Sequence, residues 1–261
     1  MELKSSAKIN IGLHVHSKRS DGFHNISTLF QEISLYDLIK IDEAENFSCK
    51  TDCGNIPESD NFGTKAFRIV KKLKPELPNV SISIRKAIPM NAGLGGGSSN
   101  GTAVLKGLNH LFSLSLDKNK LSLIANEISS DSTFFIEGGS QFGTQRGEKL
   151  QPVKNMELPK HILLVHPNIK VSTKTAFEQL KNHLLNENMD INLSKLLREL
   201  KNNNFNSKLF KNDFEMYVFE THPEIGAIKL KLKDFGAEYA SLSGTGSTVF
   251  GIFFSKKDLL K

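Results

Sequence analysis

The sequence predicts a protein of mixed α and β structure, and three observations predict it. Val80, Ile82 and Ile84 alternate with Ser81, Ser83 and Arg85, the period-two pattern of a half-buried strand. Ala103, Val104, Leu105, Leu108, Leu111 and Phe112 recur at the spacing of an amphipathic helix. Between these runs lies Pro89-Met90-Asn91-Ala92-Gly93-Leu94-Gly95-Gly96-Gly97-Ser98-Ser99, where the chain must turn from strand to helix. A glycine-rich turn that opens a helix gathers unpaired backbone N–H groups and the positive end of the helix dipole at one point, a combination that binds phosphate. A flexible linker is the alternative, but it fits poorly between flanks this tight.

Two better-known phosphate motifs do not fit. The Walker pattern follows its last glycine with Lys and then Ser or Thr, and no Lys occurs between Lys86 and Lys106. The dinucleotide pattern needs a small residue where Asn100 stands, and its acidic partner is missing downstream.

Length and composition set the bounds. The 261 residues give room for one large domain or two smaller ones. A formal charge of +6 is spread along the chain without a block of like charges. That balance suits a solvated surface and would attract a polyanionic small molecule; with no Arg-rich or aromatic-interleaved patch, it argues against nucleic acid as a partner. Cys49 and Cys53 are the only cysteines. Chelation of a metal by them would need further ligands that no His or Cys cluster supplies, so two reduced thiols are expected. No apolar run approaches the ~20 residues needed to cross a bilayer, and Met1-Glu2-Leu3-Lys4 lacks a signal core. A soluble, cytoplasmic protein without a membrane partner is the expectation.

Along the chain, Ala7, Ile9, Ile11, Leu13 and Val15 alternate with Lys8, Asn10, Gly12, His14 and His16, which puts Lys8 and Asn10 on one face of a strand. Taken alone, such a strand reads as part of a sheet with one wet face. A polar turn, Lys18 to His24, follows. From Ile26 to Phe47 apolar residues recur as in short strands, with a turn expected at Tyr36-Asp37. Asp60-Asn61 precedes a helix with Phe62, Ala66, Ile69, Val70 and Leu73 on one face, and is itself a good helix cap. Asp117 is a candidate N-cap for a helix with Leu121, Ile124, Ala125 and Ile128 inward. Asp131, between small polar residues and Phe134-Phe135-Ile136, reads as either a cap or a functional carboxylate. The polar stretch from Gly147 to Lys160, with Pro152 and Pro159, suggests a domain boundary. Beyond it, Ile162 to Val165 reads as a short buried strand, and Ser172 or Thr173 can cap a helix through Leu185. Leu193 to Leu200 and Phe214 to Phe219 read as further helices. Ala240 to Phe250 reads as two strands joined by Gly244-Thr245-Gly246.

The order Pro-x-x-x-Gly-Leu-Gly-Gly-Gly-Ser-Ser resembles the phosphate loop of the GHMP kinases, the family of galactokinase, homoserine kinase and mevalonate kinase. Ala7-Lys8-Ile9-Asn10 followed by Lys18-Arg19-x-Asp21-Gly22-Phe23-His24 is similar to one branch of that family, whose acceptor is 4-diphosphocytidyl-2-C-methyl-D-erythritol of the non-mevalonate isoprenoid pathway. Asp131-x-x-Phe134-Phe135 with Gly138-Gly139 resembles the family's Gly-Ala-Asp-Val-Pro-Phe-Phe segment, whose Asp is catalytic. Ser129-Ser130 here replace Gly-Ala, and Ser132-Thr133 replace Val-Pro, so the backbone around Asp131 is expected to differ somewhat. Ser243-Gly244-Thr245-Gly246 is similar to the family's third motif, a turn packed against the phosphate loop. Relatives commonly continue for another helix and strand beyond this hairpin, whereas this chain stops at Lys261.

The resemblance implies an α+β, two-domain GHMP kinase fold, residues 1–155 and 156–261, with the active site in the interdomain cleft. It implies ATP and Mg²⁺ as cofactors and phosphorylation of the acceptor's 2-hydroxyl. ATP would be held by the loop from Pro89 to Ser99, with Lys86 and Asn61 near the nucleotide; an exposed strand end and a helix cap are the plainer readings of these two. Lys8 and Asp131 would be catalytic. Asn10 would face the acceptor hydroxyl, Phe23 would stack on the cytosine, His24 would hydrogen-bond it, and Thr173 would touch the substrate. Another GHMP kinase with a different acceptor, or a binding relative without turnover, are the remaining alternatives.

Overall fold

Alternation along the first strand hides the burial of both its faces. The computed structural model, which describes residues 1–53, 56–153, 161–180 and 210–254, runs strand β1 over Glu2–Lys18. Within it Lys8, Asn10 and His14 are as inaccessible as Ile9, Ile11 and Leu13, so the wet face expected of an isolated strand is absent. Polar groups are costly to bury without partners. Strand β2, His24–Glu43, is a single 20-residue element, and no turn interrupts it at Tyr36-Asp37. Asp37 lies mid-strand, fully buried.

The structure divides into two compact units that interleave along the chain, where the sequence suggested one boundary between 155 and 156. The first comprises Met1–Lys8, Glu32–Met90 and Gly95–Gly139. Here the second half of β2 pairs antiparallel with β4 (Val80–Arg85), Ile39 facing Ile84 and Ile41 facing Ile82, and β3 (Ser48–Thr51) lies parallel to β4. Helices α1 (Phe62–Leu73), α2 (Gly96–Leu111) and α3 (Lys118–Ile128) share a core with this sheet through Phe67, Val70, Val104, Leu108, Ile124 and Ile128. Asp117 caps α3, accepting from the Lys120 N–H at 2.8 Å. Leu73, expected inward on α1, is 55% exposed; Phe67 takes its place in the core. A 3-10 turn, Ser130–Thr133, and the short helix α4 (Phe134–Glu137) complete the unit.

The second unit comprises Ile9–Gln31, Asn91–Leu94 and Ser140–Lys261. The first half of β2 pairs with β5 (Ser140–Thr144), which pairs with β6 (Lys149–Pro152). Part of the polar stretch suggested as a linker is thus a paired strand; residues 154–160 lie outside the described residues. Strands β7 (His161–Val165), β9 (Val249–Phe253) and β8 (Tyr239–Leu242) form a separate antiparallel sheet in that order. Strand β7 is half-buried rather than buried, with Leu163 on the surface. Helix α5 (Thr173–Leu180) and the helices Phe214–Thr221 and Pro223–Asp234 build a second core from Leu13, Val15, Phe214, Val218, Ile225 and Leu242. The expected helix at 193–200 lies outside the described residues, as does the extension of α5 beyond Leu180.

Both cysteines are free thiols. Burial pushes the Cys49 thiol from its ordinary 9.0 to about 11. The unfolded chain therefore loses this proton first, so the contribution to stability is intact below about pH 9 and is lost as the pH climbs towards 11. In the native protein at pH 8, iodoacetamide should alkylate Cys53 about a hundredfold or more faster than Cys49. Peptide mapping by mass spectrometry checks this, and equal rates would contradict it.

Candidate active site

The glycine-rich segment opens α2 as expected. Gly95 is its N-cap with φ of 67°, a left-handed conformation that glycine adopts without steric cost, and the Ser99 N–H closes the first helical bond on the Gly95 carbonyl at 2.9 Å. A Cβ on Gly95 would lie 3.1 Å from Lys8 Cε, Lys8 Cγ and Phe135 Cζ, so the Lys8 stem lies directly against the helix start. The first turn of a helix leaves N–H groups without intrahelical partners, the feature from which the sequence suggested a phosphate site.

Lys8 carries its ammonium to Asp131, Nζ to Oδ2 3.5 Å, with side-chain exposures of 4% and 33%. Asp131 caps neither flanking helix; it rides on the 3-10 turn. That turn is tied by hydroxyls to the first turns of α2: Ser129 Oγ donates to Ser98 Oγ at 2.8 Å, and Thr102 Oγ1 donates to the Ser132 carbonyl at 2.8 Å.

Two expected nucleotide residues have structural partners. Asn61 caps α1, accepting from the Gly63 N–H at 2.8 Å. Lys86 donates to Asp37 Oδ2 and to Asn100 Oδ1 (3.1 Å). Asp37, which the sequence reading took for a turn residue, also accepts from the Ala87 and Ile88 N–H groups, both at 2.8 Å, and from Asn100 Nδ2 at 2.8 Å. The network continues from Asn100 Nδ2 to Ser5 Oγ (3.0 Å) and from there to Ser99 Oγ (2.7 Å). One carboxylate thereby holds both the segment entering the loop and the helix leaving it.

In the second unit, Asn91–Leu94 meet the third motif. A Cβ on Gly93, whose φ is 76°, would fall 1.9 Å from the Ser243 carbonyl oxygen, which only glycine permits. Ser243 Oγ donates to the Gly93 carbonyl at 2.9 Å, and the Thr248 N–H to the Ala92 carbonyl at 3.3 Å. Thr173 starts α5 with its hydroxyl 3.1 Å from that of Thr245, while Ser172 supplies the cap. Asn10 Nδ2 donates to Thr28 Oγ1 at 3.0 Å.

Phe23 is 52% exposed, with the Arg146 guanidinium 3.9 Å from its ring centroid. No sequence spacing singled out Arg146, because the β5–β6 turn that presents it is joined to Phe23 only by the fold. His24 is buried and stacks on Phe177 at 5.7 Å, its Nδ1 donating to the His16 carbonyl at 3.0 Å. Its Nε2 has no hydrogen-bond partner among the described residues.

Among the described residues no cluster of three or more His, Cys, Asp or Glu could hold a metal on its own. Mg²⁺ binds nucleotide phosphates through few protein groups and keeps several waters. A carboxylate and a hydroxyl suit that demand, and Asp131 and Ser98 are groups of those kinds on elements joined by the Ser129–Ser98 hydrogen bond.

Two family models match parts of the chain. Residues 61–139 match the GHMP kinases N terminal domain, and residues 178–260 match the GHMP kinases C terminal model. The chain is 35% identical to the 4-diphosphocytidyl-2-C-methyl-D-erythritol kinase of Chlorobium chlorochromatii, over 99% of this chain and 90% of that protein. It is 38% identical to the enzyme of the same name from Cytophaga hutchinsonii, over 97% of this chain and 92% of that one. Its structure superposes on a crystal structure of 4-(cytidine 5'-diphospho)-2C-methyl-D-erythritol kinase with a TM-score of 0.80 at 26% identity, covering 99% of this chain and 92% of that chain. The protein therefore belongs to the GHMP kinases, and within them to the 4-diphosphocytidyl-2-C-methyl-D-erythritol kinase family.

The buried Asp37–Lys86 pair makes its own forecast. Asp37→Asn should cost about 3–5 kcal/mol of unfolding free energy, because it strands a buried ammonium. Adding Lys86→Met should recover part of that loss in urea denaturation; a double variant less stable than the single one would refute this account.

Proposed function

We propose that this protein transfers the γ-phosphoryl group of ATP to the 2-hydroxyl of 4-diphosphocytidyl-2-C-methyl-D-erythritol. The carrying observation is the buried Lys8 ammonium beside Asp131, with its stem against the first residue of the phosphate helix. An alcohol is a weak nucleophile, and phosphoryl transfer leaves the protein mainly positioning and charge to supply. Asp131 accepts the hydroxyl proton as the acceptor oxygen bonds to the γ-phosphorus and the bond to the bridging oxygen of ADP breaks. Lys8 neutralises charge on the transferring group and on Asp131. Backbone N–H groups from Gly93 to Ser98 cradle the remaining phosphates, the Ser99 N–H being taken by the Gly95 carbonyl, while Lys86 and Asn61 border the nucleotide and Pro89 to Ala92 shape the entry to the loop.

The acceptor's base is read in the second unit. Phe23 offers an exposed ring for stacking, and with Nδ1 committed to the His16 carbonyl, His24 keeps its buried Nε2 for the base. That atom suits the exocyclic amine of cytosine. Asn10 and Thr173 belong to the acceptor's surroundings in this reading. Mg²⁺ would be held by Asp131 and Ser98 with the nucleotide, where it neutralises phosphate charge. We assign the reaction to the cytoplasm; no helix among the described residues is long and apolar enough to cross a membrane.

ATP-dependent phosphorylation of 4-diphosphocytidyl-2-C-methyl-D-erythritol, with other sugar alcohols as controls, tests the assignment. Asp131→Asn should lower kcat by about 10²–10⁴-fold while ATP binding by calorimetry is retained; near-normal turnover would remove Asp131 from the mechanism. Phe23→Ala should raise KM for the cytidyl acceptor roughly 5- to 150-fold, the worth of one stacked base, and leave KM for ATP within twofold. An unchanged acceptor KM would place the cytosine elsewhere.

A further inference from the structure

The carboxylate assigned to proton transfer sits on a poorly self-supported element. A 3-10 turn has strained hydrogen bonds of its own and is common as a short connector, and this one spans only Ser130–Thr133. What fixes it is a cluster of hydroxyls on either side of Asp131. Ser129 Oγ donates to Ser98 Oγ at 2.8 Å and lies 2.7 Å from Ser132 Oγ. A hydroxyl has one proton, so with the Ser129 proton on Ser98 the short contact to Ser132 must be made by the Ser132 proton. That proton also faces the Ser98 carbonyl at 3.2 Å. From the other side, the single Thr102 Oγ1 proton is shared between the carbonyls of Ser132 (2.8 Å) and Ser98 (3.0 Å). Ser132 and Thr102 are fully buried, so water cannot stand in for these bonds.

We propose that Ser129 and Ser132 are positioning residues that lock the Asp131 turn to the first turn of the phosphate helix, and that they set the carboxylate's place relative to the bound phosphates. The residues bonded on one side of the clamp carry Asp131; those on the other side, Ser98 foremost, belong to the loop that holds the nucleotide. Ser98 enters the clamp as an acceptor, so its own proton remains for a phosphate oxygen. The turn and the loop therefore shift as one body. The proposal rests on the kinase reading and on Asp131 as proton acceptor.

The test measures steady-state kinetics of Ser129→Ala, Ser132→Ala, the double variant and Ser129→Thr, beside Asp131→Asn, with thermal unfolding of each. The expected result is a kcat loss of roughly tenfold to a hundredfold in each alanine variant, the scale of a small misplacement of a reacting group. KM for ATP and for the acceptor should stay within twofold. The double variant should lose little more than either single one, because both hydroxyls belong to one clamp. Ser129→Thr keeps the hydroxyl and should restore wild-type kcat. Unchanged kcat in both alanine variants, with Asp131→Asn inactive, would overturn the clamp while leaving the kinase reading intact. Loss of kcat and both KM values in step with thermal stability would also overturn it, as would a Ser129→Thr variant no better than Ser129→Ala. Near-normal turnover of Asp131→Asn would overturn the reading on which the clamp depends.

Discussion

The phosphate loop depends on what happens to one buried carboxylate. Asp37 has lost all contact with solvent, and a buried charge survives only where its hydration is replaced by donors. Four donors do so here: two backbone N–H groups at 87 and 88, the Asn100 amide and the Lys86 ammonium. Because these donors come from both sides of the loop, satisfying the charge fixes the loop's two ends at once. The pairing of Lys8 with Asp131 is built differently. It is longer, and Asp131 keeps about a third of its side-chain surface. One ion pair is closed; the other leaves its carboxylate partly open to solvent.

What the sequence made legible follows physical locality. The glycine loop could be read because its chief demand is local, a left-handed cap at Gly95 that leaves glycine as the residue that fits; the close approach at Gly93 is to the distant Ser243 and was not legible. The caps Asp117 and Asn61 were likewise visible, since a cap acts within three residues. Asp37 was not. A Tyr-Asp pair in an apolar run looks like an interruption of a strand, and its explanation lies at Lys86 and Asn100, far along the chain. The polar face of β1 posed the same difficulty, because alternation reports two faces without saying what covers either. The helix Pro223–Asp234 passed unnoticed although Pro223 stands at its first turn, where the missing N–H costs nothing. The juxtaposition of Lys8 and Asp131 came from family resemblance alone, since no local rule connects a strand with a turn so distant in sequence.

Departures from a family pattern read differently once their contacts are known. Three serines and a threonine in place of Gly-Ala and Val-Pro around Asp131 suggested a disturbed backbone. The structure shows two of them, Ser129 and Ser132, engaged with Ser98. Proline and β-branched residues restrain a turn through its own dihedral angles; hydroxyls restrain it by fastening it to a neighbour. Either device can hold one carboxylate in place, and the second also makes its position depend on the phosphate helix.

The contact between Gly93 and Ser243 has a consequence for how the protein is made. Residues 91–94 take their shape against the turn between β8 and β9, where Ser243, 150 residues after Gly93, donates to the Gly93 carbonyl. A chain emerging from the ribosome can form α1 to α3 early, yet the curve at residues 91–94 must wait for residues 243–248 to be synthesised. Until those residues join it, the curve at Gly93 lacks the partner that fixes it, so this short segment is completed out of order with the helix that follows it in the chain.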